Sequence, residues 1–184
     1  MDLPNKKYQI IYADPPWRFK YRHNENDTSG HNEGIYDLMS LDEIKQLPMN
    51  KITDINCILF LWVTDPLLKQ GIEVMESWGF KYKTVAFTWI KTNKSNGNHW
   101  LGMGYWTRSN PEMCLLGTKG HMKRIDSNIH QLVTAVRREH SRKPDVVRNL
   151  IVKLCGSLPR IELFARERFE GWDCWGDEIP DTIQ

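Results

Sequence analysis

Residues 8–21 read YQIIYADPPWRFKY, an apolar run that stops at an aspartate, two prolines and a tryptophan. Ile10, Ile11 and their neighbours have the continuous apolar pattern of a strand that is buried on both faces of a sheet. Proline fixes its own φ, has no N–H to donate and disfavours helix in the residue before it. The sequence therefore predicts a buried strand that ends at the carboxylate of Asp14.

Strand and helix patterns alternate through the rest of the chain. Strands are predicted at 9–13, 57–63, 83–91, 112–120 and 160–166, and helices at 40–47, 64–79 and 143–155. Ser40 and Glu43 have the spacing of a capping box, and Gly156 marks a helix end. This order predicts an α/β fold with a mostly parallel central sheet and helices on both faces. Since no internal repeat or linker is present, residues 1–184 are predicted to form a single domain.

Composition and charge limit the functional classes. The longest apolar run, residues 57–63, is far too short to cross a bilayer, and the four cysteines are dispersed without a CxxC pair. We therefore expect a cytoplasmic protein with reduced thiols and no membrane partner. From Lys119 to Lys143, seven basic residues stand against two acidic ones, so this segment carries +5 and the remainder −3. Such a basic face favours a phosphate backbone as partner, although a solvated polar surface explains it equally well.

Several cofactor signatures are missing from the sequence. There is no GxGxxG and no P-loop, so nicotinamide and nucleoside triphosphate chemistry have no support. No cysteine follows a proline, which disfavours thiolate attack on cytosine. The histidines show no metal-ligand spacing, and no metal is predicted.

Two polar segments interrupt the alternating pattern. Residues 22–34 contain no apolar side chain, and the segment 92–110 begins with a stretch rich in Asn and Gly. Ligands of open α/β sheets bind beyond the carboxyl ends of the strands, where the first of these segments leaves the predicted sheet. We predict that both are mobile loops beside an active site; two disordered surface excursions are the alternative.

Asp14 and the residues after it form a rigid set of hydrogen-bond acceptors. The prolines hold the backbone carbonyls of Asp14 and Pro15 at fixed angles, and Trp17 offers a flat surface for a heterocycle. An exocyclic amine fits this set, because it can give one hydrogen to the carboxylate and one to a backbone carbonyl. The stretch therefore indicates an aminopurine ligand; a plain strand stop is the alternative interpretation.

Accepting both hydrogens also changes the reactivity of the amine. The lone pair of an adenine amino group is delocalised into the ring, and two acceptors out of line with that conjugation favour a pyramidal nitrogen that can attack a methyl group. The interaction strengthens as positive charge develops on nitrogen, so it lowers the barrier. A carboxylate turned into the protein interior by an ion pair could not act in this way.

Six stretches also occur in the order found in one enzyme family. They are ADPPW (13–17), FLWVT (60–64), WIKTN (89–93), EMCLLGTKG (112–120), HSRKPD (140–145) and IELFAR (161–166). From residue 8 to about 178 the chain resembles the MT-A70 family of S-adenosylmethionine-dependent adenine N6-methyltransferases. The resemblance implies a Rossmann-like methyltransferase fold with a permuted, β-class-like motif order, in which DPPW precedes the cofactor-binding strand. It also implies methyl transfer to N6 of adenine in DNA or in RNA.

The resemblance assigns catalytic and cofactor positions. The catalytic residues are Asp14, Pro15, Pro16 and Trp17. Contacts to S-adenosylmethionine are expected from Asp14, Lys143, Glu162, Phe164, Arg166, Arg168, Asp177 and Glu178. The residues themselves support Lys143, because an ammonium beside a helix start can hold a carboxylate. Better-known eukaryotic members carry a His-Asn pair where this chain has Arg168 and Phe169, and WGDE (175–178) stands where the family often has GNQ or GNE.

Substrate positions are predicted from the resemblance and from charge. Tyr36 and Glu112 match positions that face the target base, beside Trp17. The candidates for phosphate contacts are Arg108, Lys123, Arg124, Arg137 and Arg138. Trp62, Trp78 and Trp89 lie in predicted strands or helix ends and are expected in the core, whereas Trp100 and Trp106 lie in or beside loops.

Functional alternatives stay open at this point. DNA is favoured over RNA because the chain is short and has no separate recognition domain or RNA-binding module. A noncatalytic nucleic-acid-binding subunit and a methyltransferase acting on a protein amide are the competing classes. Both a homodimer and a heterodimer with a related subunit are compatible with the sequence.

Overall fold

The computed structural model describes residues 2–18, 38–104, 106–138, 142–177 and 179. Its framework is a seven-stranded sheet of β1 (Tyr8–Ala13), β2 (Thr53–Val63), β3 (Lys81–Thr92), β4 (Glu112–Lys119), β5 (Leu132–Val136), β6 (Arg160–Leu163) and β7 (Asp173–Trp175). The strands lie in the order β5-β3-β4-β2-β1-β6-β7. The α-helices in this part of the chain are α1 (Leu41–Lys45), α2 (Leu68–Ser77) and α3 (Val146–Cys155), with single 3-10 turns at Met49–Lys51 and Asp65–Leu67.

All strands except β4 run in the same direction. β1 pairs in parallel with β2 and β6, β6 with β7, and β3 with β5, whereas β4 is antiparallel to both β2 and β3. The predicted α/β fold with a mostly parallel sheet is confirmed, and β4 makes the sheet mixed. Because β4 is reversed, its first residue, Glu112, lies at the same edge as the last residues of β1 and β3.

Side chains of the central strands alternate between two apolar clusters, one on each face. One face carries Ile11, Leu59 and Leu61 among residues of α1 and α2. The other carries Ile10, Phe60 and Trp62 among residues of α3. Burying one such side chain contributes about 1.5–3 kcal/mol, which explains why residues 10–13 of β1 and the second half of β2 are apolar at every position. The helices therefore cover both faces, as predicted, and the core positions predicted for Trp62, Trp78 and Trp89 are confirmed.

Local signals set the element ends in most places. The predicted capping box is present, because the Glu43 N–H donates to the Ser40 hydroxyl at 3.3 Å and the Ser40 N–H donates to the Glu43 carboxylate at 2.7 Å. Gly156 follows α3 with φ of 90°. The helix predicted at 64–79 is shorter, since its first turn is 3-10 and α2 begins at Leu68. The strand predicted at 160–166 ends at Leu163 because Phe164 adopts φ of 60°.

The cysteines are free thiols, as predicted. Cys57, Cys114 and Cys155 are buried, and burial raises the pKa of Cys57 and of Cys155 to about 12. Such thiols are unreactive at neutral pH. Within the described ranges, no helix has the length and apolar character needed to span a membrane. In the same part of the chain, no three His, Cys, Asp or Glu side chains converge as metal ligands.

Candidate active site

Strand β1 carries Asp14 to the carboxyl edge of the sheet. Ala13 is fully buried between β2 and β6, whereas 22% of the Asp14 side chain stays exposed. The Trp17 N–H donates to the Pro15 carbonyl at 2.9 Å, which closes a tight turn around Pro16. This turn fixes the Pro15 carbonyl directly after the Asp14 carboxylate.

The indole of Trp17 is held in place by the core. Its Nε1–H donates to the Trp62 carbonyl at 3.1 Å, and its ring packs against the apolar cluster that includes α1 and α2. The backbone on either side pairs with Met39, whose N–H donates to the Pro16 carbonyl at 2.9 Å and whose carbonyl accepts from the Arg18 N–H at 3.0 Å. Stacking of a base on Trp17 stays a prediction.

Four charged side chains, including Asp14, form a connected row, here called the ion chain. Lys143 Nζ lies 2.8 Å from Asp14 Oδ2 and 3.2 Å from Glu112 Oε2. Lys91 Nζ lies 2.6 Å from Glu112 Oε1. The charges therefore alternate in the order Lys91, Glu112, Lys143, Asp14.

Burial differs along the ion chain. The side chains of Lys91, Glu112 and Lys143 are 13%, 7% and 10% exposed, so solvent screens their interactions weakly. Asp14 is the most open member. The ion pair with Lys143 therefore does not turn the Asp14 carboxylate into the protein interior.

The ion chain shifts the pKa of each carboxylate differently. Burial raises the pKa of Asp14 above its usual range; Lys143 and Arg166 lower it only in part, and the charge of Glu112 raises it further. Burial alone would also raise the pKa of Glu112, but the two lysines together hold it below its usual value. Asp14 is thus the carboxylate of this row that gains a proton more readily than an ordinary aspartate does.

A second group of charged residues joins α3 to β6. The Arg148 guanidinium donates to both oxygens of Glu162, at 2.6 and 2.7 Å, and the two side chains are only 6% and 8% exposed. Arg148 also donates to Asp145 at 2.7 Å, and Arg138 binds the same carboxylate through two hydrogen bonds of 2.8 Å. Glu162, predicted to contact the cofactor, therefore has both carboxylate oxygens engaged by Arg148.

The remaining predicted cofactor positions follow β6 and β7. Phe164 turns the chain out of β6 and packs edge-on against Trp175, with 5.4 Å between ring centroids. Arg166 is half-buried, and its charge lowers the pKa of Asp14. Arg168 and Asp177 are exposed. Glu178 lies outside the described residues, as do Tyr36 and the predicted loop 22–34.

The basic residues proposed for phosphate contacts differ in their exposure and in their pairing with other side chains. Arg108, Lys123, Arg124 and Arg137 are exposed. Arg138 is half-buried and bound by Asp145, so its charge is already paired. The guanidinium of Arg137 lies 4.9 Å from the centre of the Trp100 ring. Contact with phosphates stays a prediction for all five.

Hydrogen bonds tie the segment between β3 and β4 to the end of β3. The Trp100 N–H donates to the Lys91 carbonyl at 2.9 Å. The Asn110 side chain brackets the same residue, accepting from the Lys91 N–H at 3.0 Å and donating to its carbonyl at 2.9 Å, and it also donates to the Trp100 carbonyl. Farther along, Trp106 is 99% exposed. This segment begins and ends at the edge that holds Asp14.

Sequence reasoning missed Lys91, Asn110 and the packing of Trp100. Its position could have indicated Lys91, because it is a charged residue near the carboxyl end of a strand, and that end lies at the edge that holds Asp14. Asn110 gives no such signal, because its contacts join residues 10 and 19 positions apart in a segment without regular periodicity.

The chain is similar to several known proteins. A family model described as MT-A70 matches residues 8–178. The chain is 42% identical to the type II methyltransferase M.MunI of Mycoplasma sp over 98% of its own length and 81% of that protein. It is 30% identical to the N(6)-adenosine-methyltransferase catalytic subunit METTL3 of Homo sapiens over 87% of its length, and 31% identical to an MT-A70-like N(6)-adenosine-methyltransferase of Arabidopsis thaliana over 94%. The match spans only about a quarter of these last two proteins, 26% and 24%.

Proposed function

This chain belongs to the MT-A70 family, and we propose that it transfers a methyl group from S-adenosylmethionine to N6 of adenine in DNA. The observation that carries the proposal is the placement of Asp14 at the end of a buried parallel strand, partly exposed and directly before a prolyl carbonyl in a tight turn. The substrate preference rests on the greater identity to the type II methyltransferase, 42% against 30–32% for the N(6)-adenosine-methyltransferases.

Two acceptors at the catalytic turn suit the adenine amino group. The Asp14 carboxylate can accept one N6 hydrogen. The Pro15 carbonyl can accept the other, because its bond from the Trp17 N–H occupies only one of its two lone-pair positions. Both acceptors are fixed before the base arrives, so little reorganisation is needed as charge develops.

The residues of the catalytic turn then act on the N6 nitrogen. S-adenosylmethionine, when bound, supplies an electrophilic methyl carbon on a sulfonium that leaves as a neutral thioether. Asp14 and the Pro15 carbonyl would hold N6 in the pyramidal geometry in which its lone pair is localised and able to attack that carbon. N6 becomes positively charged and gives one proton to the Asp14 carboxylate, which passes it to solvent through its exposed side.

The charged groups at this edge fit the methyl donor. A methionine carboxylate needs cations, and Lys143 and Arg166 supply them on the Asp14 side of the sheet. We propose that these two residues hold the carboxylate, and that Glu162 supports the site indirectly by fixing Arg148. Contacts from Phe164, Arg168, Asp177 and Glu178, assembly as a dimer and a cytoplasmic location stay predictions.

Incubation with methyl-labelled cofactor and four substrates tests the proposal. The substrates are single- and double-stranded DNA and RNA, and digestion followed by mass analysis identifies the product. We expect N6-methyladenine from DNA. Asp14→Ala and Trp17→Ala are expected to lose about 100-fold or more of the rate. Both variants are expected to keep the fold, although Trp17→Ala should melt at a lower temperature because its ring packs against the core. Asp42→Asn, which neutralises an exposed aspartate on α1, is the matched control.

The outcomes separate the competing functions. Label in RNA alone would reassign the substrate, and label in a protein amide would overturn action on nucleic acid. A chain that binds nucleic acid but neither binds the cofactor in calorimetry nor transfers label would be a noncatalytic subunit. Normal turnover by Asp14→Ala would refute the mechanism.

A further inference from the structure

Lys91 is an almost buried lysine with no part in the chemistry derived above. Its side chain is 13% exposed, and its Nζ lies 2.6 Å from Glu112 Oε1. The ammonium also lies 5.3 Å from the centre of the Trp89 ring and 5.2 Å from that of Trp100. A lysine is seldom buried to this extent unless it is paired, and removing its partner or itself leaves a costly unpaired charge.

We propose that Lys91 is a positioning residue for methyl transfer: it binds Glu112 and offsets its charge, so that Lys143 can keep the Asp14 carboxylate ionised and presented to the base. The proposal rests on the function proposed for Asp14. Glu112 is the connecting group, because its two oxygens bind one lysine each. Lys143 in turn divides its contacts between Glu112 and Asp14.

Charge balance in the ion chain explains why Lys91 is needed. With Lys91 present, two ammonium groups face two carboxylates. Without it, Glu112 and Asp14 share one ammonium, and two carboxylates in one poorly screened site titrate as a pair with a raised apparent pKa. If Glu112 takes the proton, Lys143 binds Asp14 alone and occupies its carboxylate. If Asp14 takes the proton, its carboxylate can no longer accept a hydrogen from the adenine amine. In both cases the adenine amine loses the Asp14 carboxylate as its hydrogen-bond acceptor at low pH.

Other charged groups near the ion chain do not replace Lys91. The charge of Arg166, in the turn after β6, lowers the pKa of Asp14, and Glu162 in β6 and Asp14 interact as like charges. Asp65, in the 3-10 turn before α2, adds a further negative charge near Glu112 and Lys91. The neighbouring thiol of Cys114 stays neutral because burial raises its pKa. Acidic neighbours therefore make the loss of Lys91 more serious.

The backbone of Lys91 is anchored as firmly as its ammonium. Asn110 binds both its N–H and its carbonyl, and the Trp100 N–H donates to the same carbonyl. The Trp100 ring lies against the Lys91 ammonium, with the Arg137 guanidinium 4.9 Å from its centre. The segment between β3 and β4 is thereby linked through Lys91 to the catalytic carboxylate.

The pH dependence of methyl transfer tests this role. Lys91→Met keeps an unbranched apolar side chain between the two indoles and removes the charge. We expect kcat to fall about tenfold and its acid limb to move about one unit to higher pH, while the KM for DNA stays within about twofold. Lys91→Arg keeps the charge and is expected to keep the limb of the wild-type enzyme. Lys94→Met removes an exposed lysine three residues away and should leave the profile unchanged.

A double variant separates charge balance from packing. Lys91→Met/Glu112→Gln removes one charge of each sign, so its acid limb should return to the wild-type position even though its kcat stays low. An unshifted limb in a folded Lys91→Met enzyme would overturn the proposal, as would a double variant whose limb stays displaced. If Lys91→Met does not fold, a displaced limb in Lys91→Arg would overturn it equally. Inactivity of the wild-type enzyme would instead count against the proposed function.

Discussion

Replacing Arg148 by methionine tests whether the Arg148–Glu162 pair supports the fold rather than the cofactor. The arginine side chain is 6% exposed and binds both oxygens of Glu162, which is 8% exposed. Methionine fills much of the same volume and offers no hydrogen bonds. Glu162 then keeps its charge on a buried strand without a partner.

The size of the effect follows from this burial. Removing one member of a buried ion pair costs about 3–5 kcal/mol, because the remaining charge is left uncompensated. Arg148 also loses its bond to Asp145 and its packing on the Phe169 ring, 4.8 Å from the guanidinium. Since a domain has about 5–15 kcal/mol of stability in total, the variant is expected to be folded but marginal at neutral pH.

Urea unfolding at two pH values measures this loss. With a slope of about 2 kcal/mol per molar, the midpoint should fall by about 2 M at neutral pH. Burial already raises the pKa of Glu162 above its usual value, and Arg148 opposes this, so the pKa rises further in the variant. The added destabilisation therefore begins as the pH rises above the unfolded-state pKa and is complete above the folded-state pKa of the variant. The variant should therefore regain stability as the pH is lowered towards 5.

A neutral partner and an exposed arginine provide the controls. Arg148→Met/Glu162→Gln should recover most of the lost stability, because an amide costs less to bury than a charge. Arg124→Met, on the surface, should change the free energy of unfolding by less than about 0.5 kcal/mol. A loss of stability in Arg148→Met that is below about 1 kcal/mol, or equal at both pH values, would refute the assignment of a buried structural pair.

Three further predictions concern catalysis and substrate binding. Because burial raises the pKa of Asp14 and only the ionised carboxylate accepts from N6, kcat should fall as the pH drops through a value above the roughly 4 of a free aspartate, and Asp14→Asn should remove this dependence together with most of the rate. Lys123→Gln/Arg124→Gln should reduce the slope of log Kd against log salt for DNA by about 1–2; an unchanged slope would place the phosphates elsewhere. Trp106→Ala should leave the melting temperature unchanged, because the side chain is 99% exposed, and should weaken DNA binding by about 1–3 kcal/mol if the ring stacks on a base; equal binding would exclude that contact.

The central strands could be predicted because they are buried on both faces. β1 is apolar without interruption from Ile10 to Ala13 and β2 from Ile58 to Val63, a pattern with few alternatives. β5 was missed because it is an edge strand in which only Val133 is buried and Leu132 is 65% exposed. β7 was missed because three residues, Asp173–Trp175, are too few to show a period.

The candidate site was predictable where it lies in one stretch and not where it depends on distant contacts. Asp14 could be placed because the strand before it and the prolines after it act locally. The ion chain joins positions 14, 91, 112 and 143, which only the fold brings together. Glu162 shows the same limit, since nothing in its neighbours along the chain indicates that Arg148 engages both of its oxygens.

The reversal of β4 accounts for much of what the site contains. If β4 ran parallel to its neighbours, Glu112 would lie at the opposite edge of the sheet from Asp14. The rule that functional residues follow strand ends would then have been sufficient to predict the site. Because β4 is antiparallel to β3, Trp89 pairs with Glu112 and both ends of the intervening segment meet at the edge that holds Asp14. Lys91 and Glu112 can therefore bind each other across the base of this segment, and Glu112 can reach Lys143 as well. A parallel β4 of the same composition could bury the same apolar surface, but it could not assemble the ion chain.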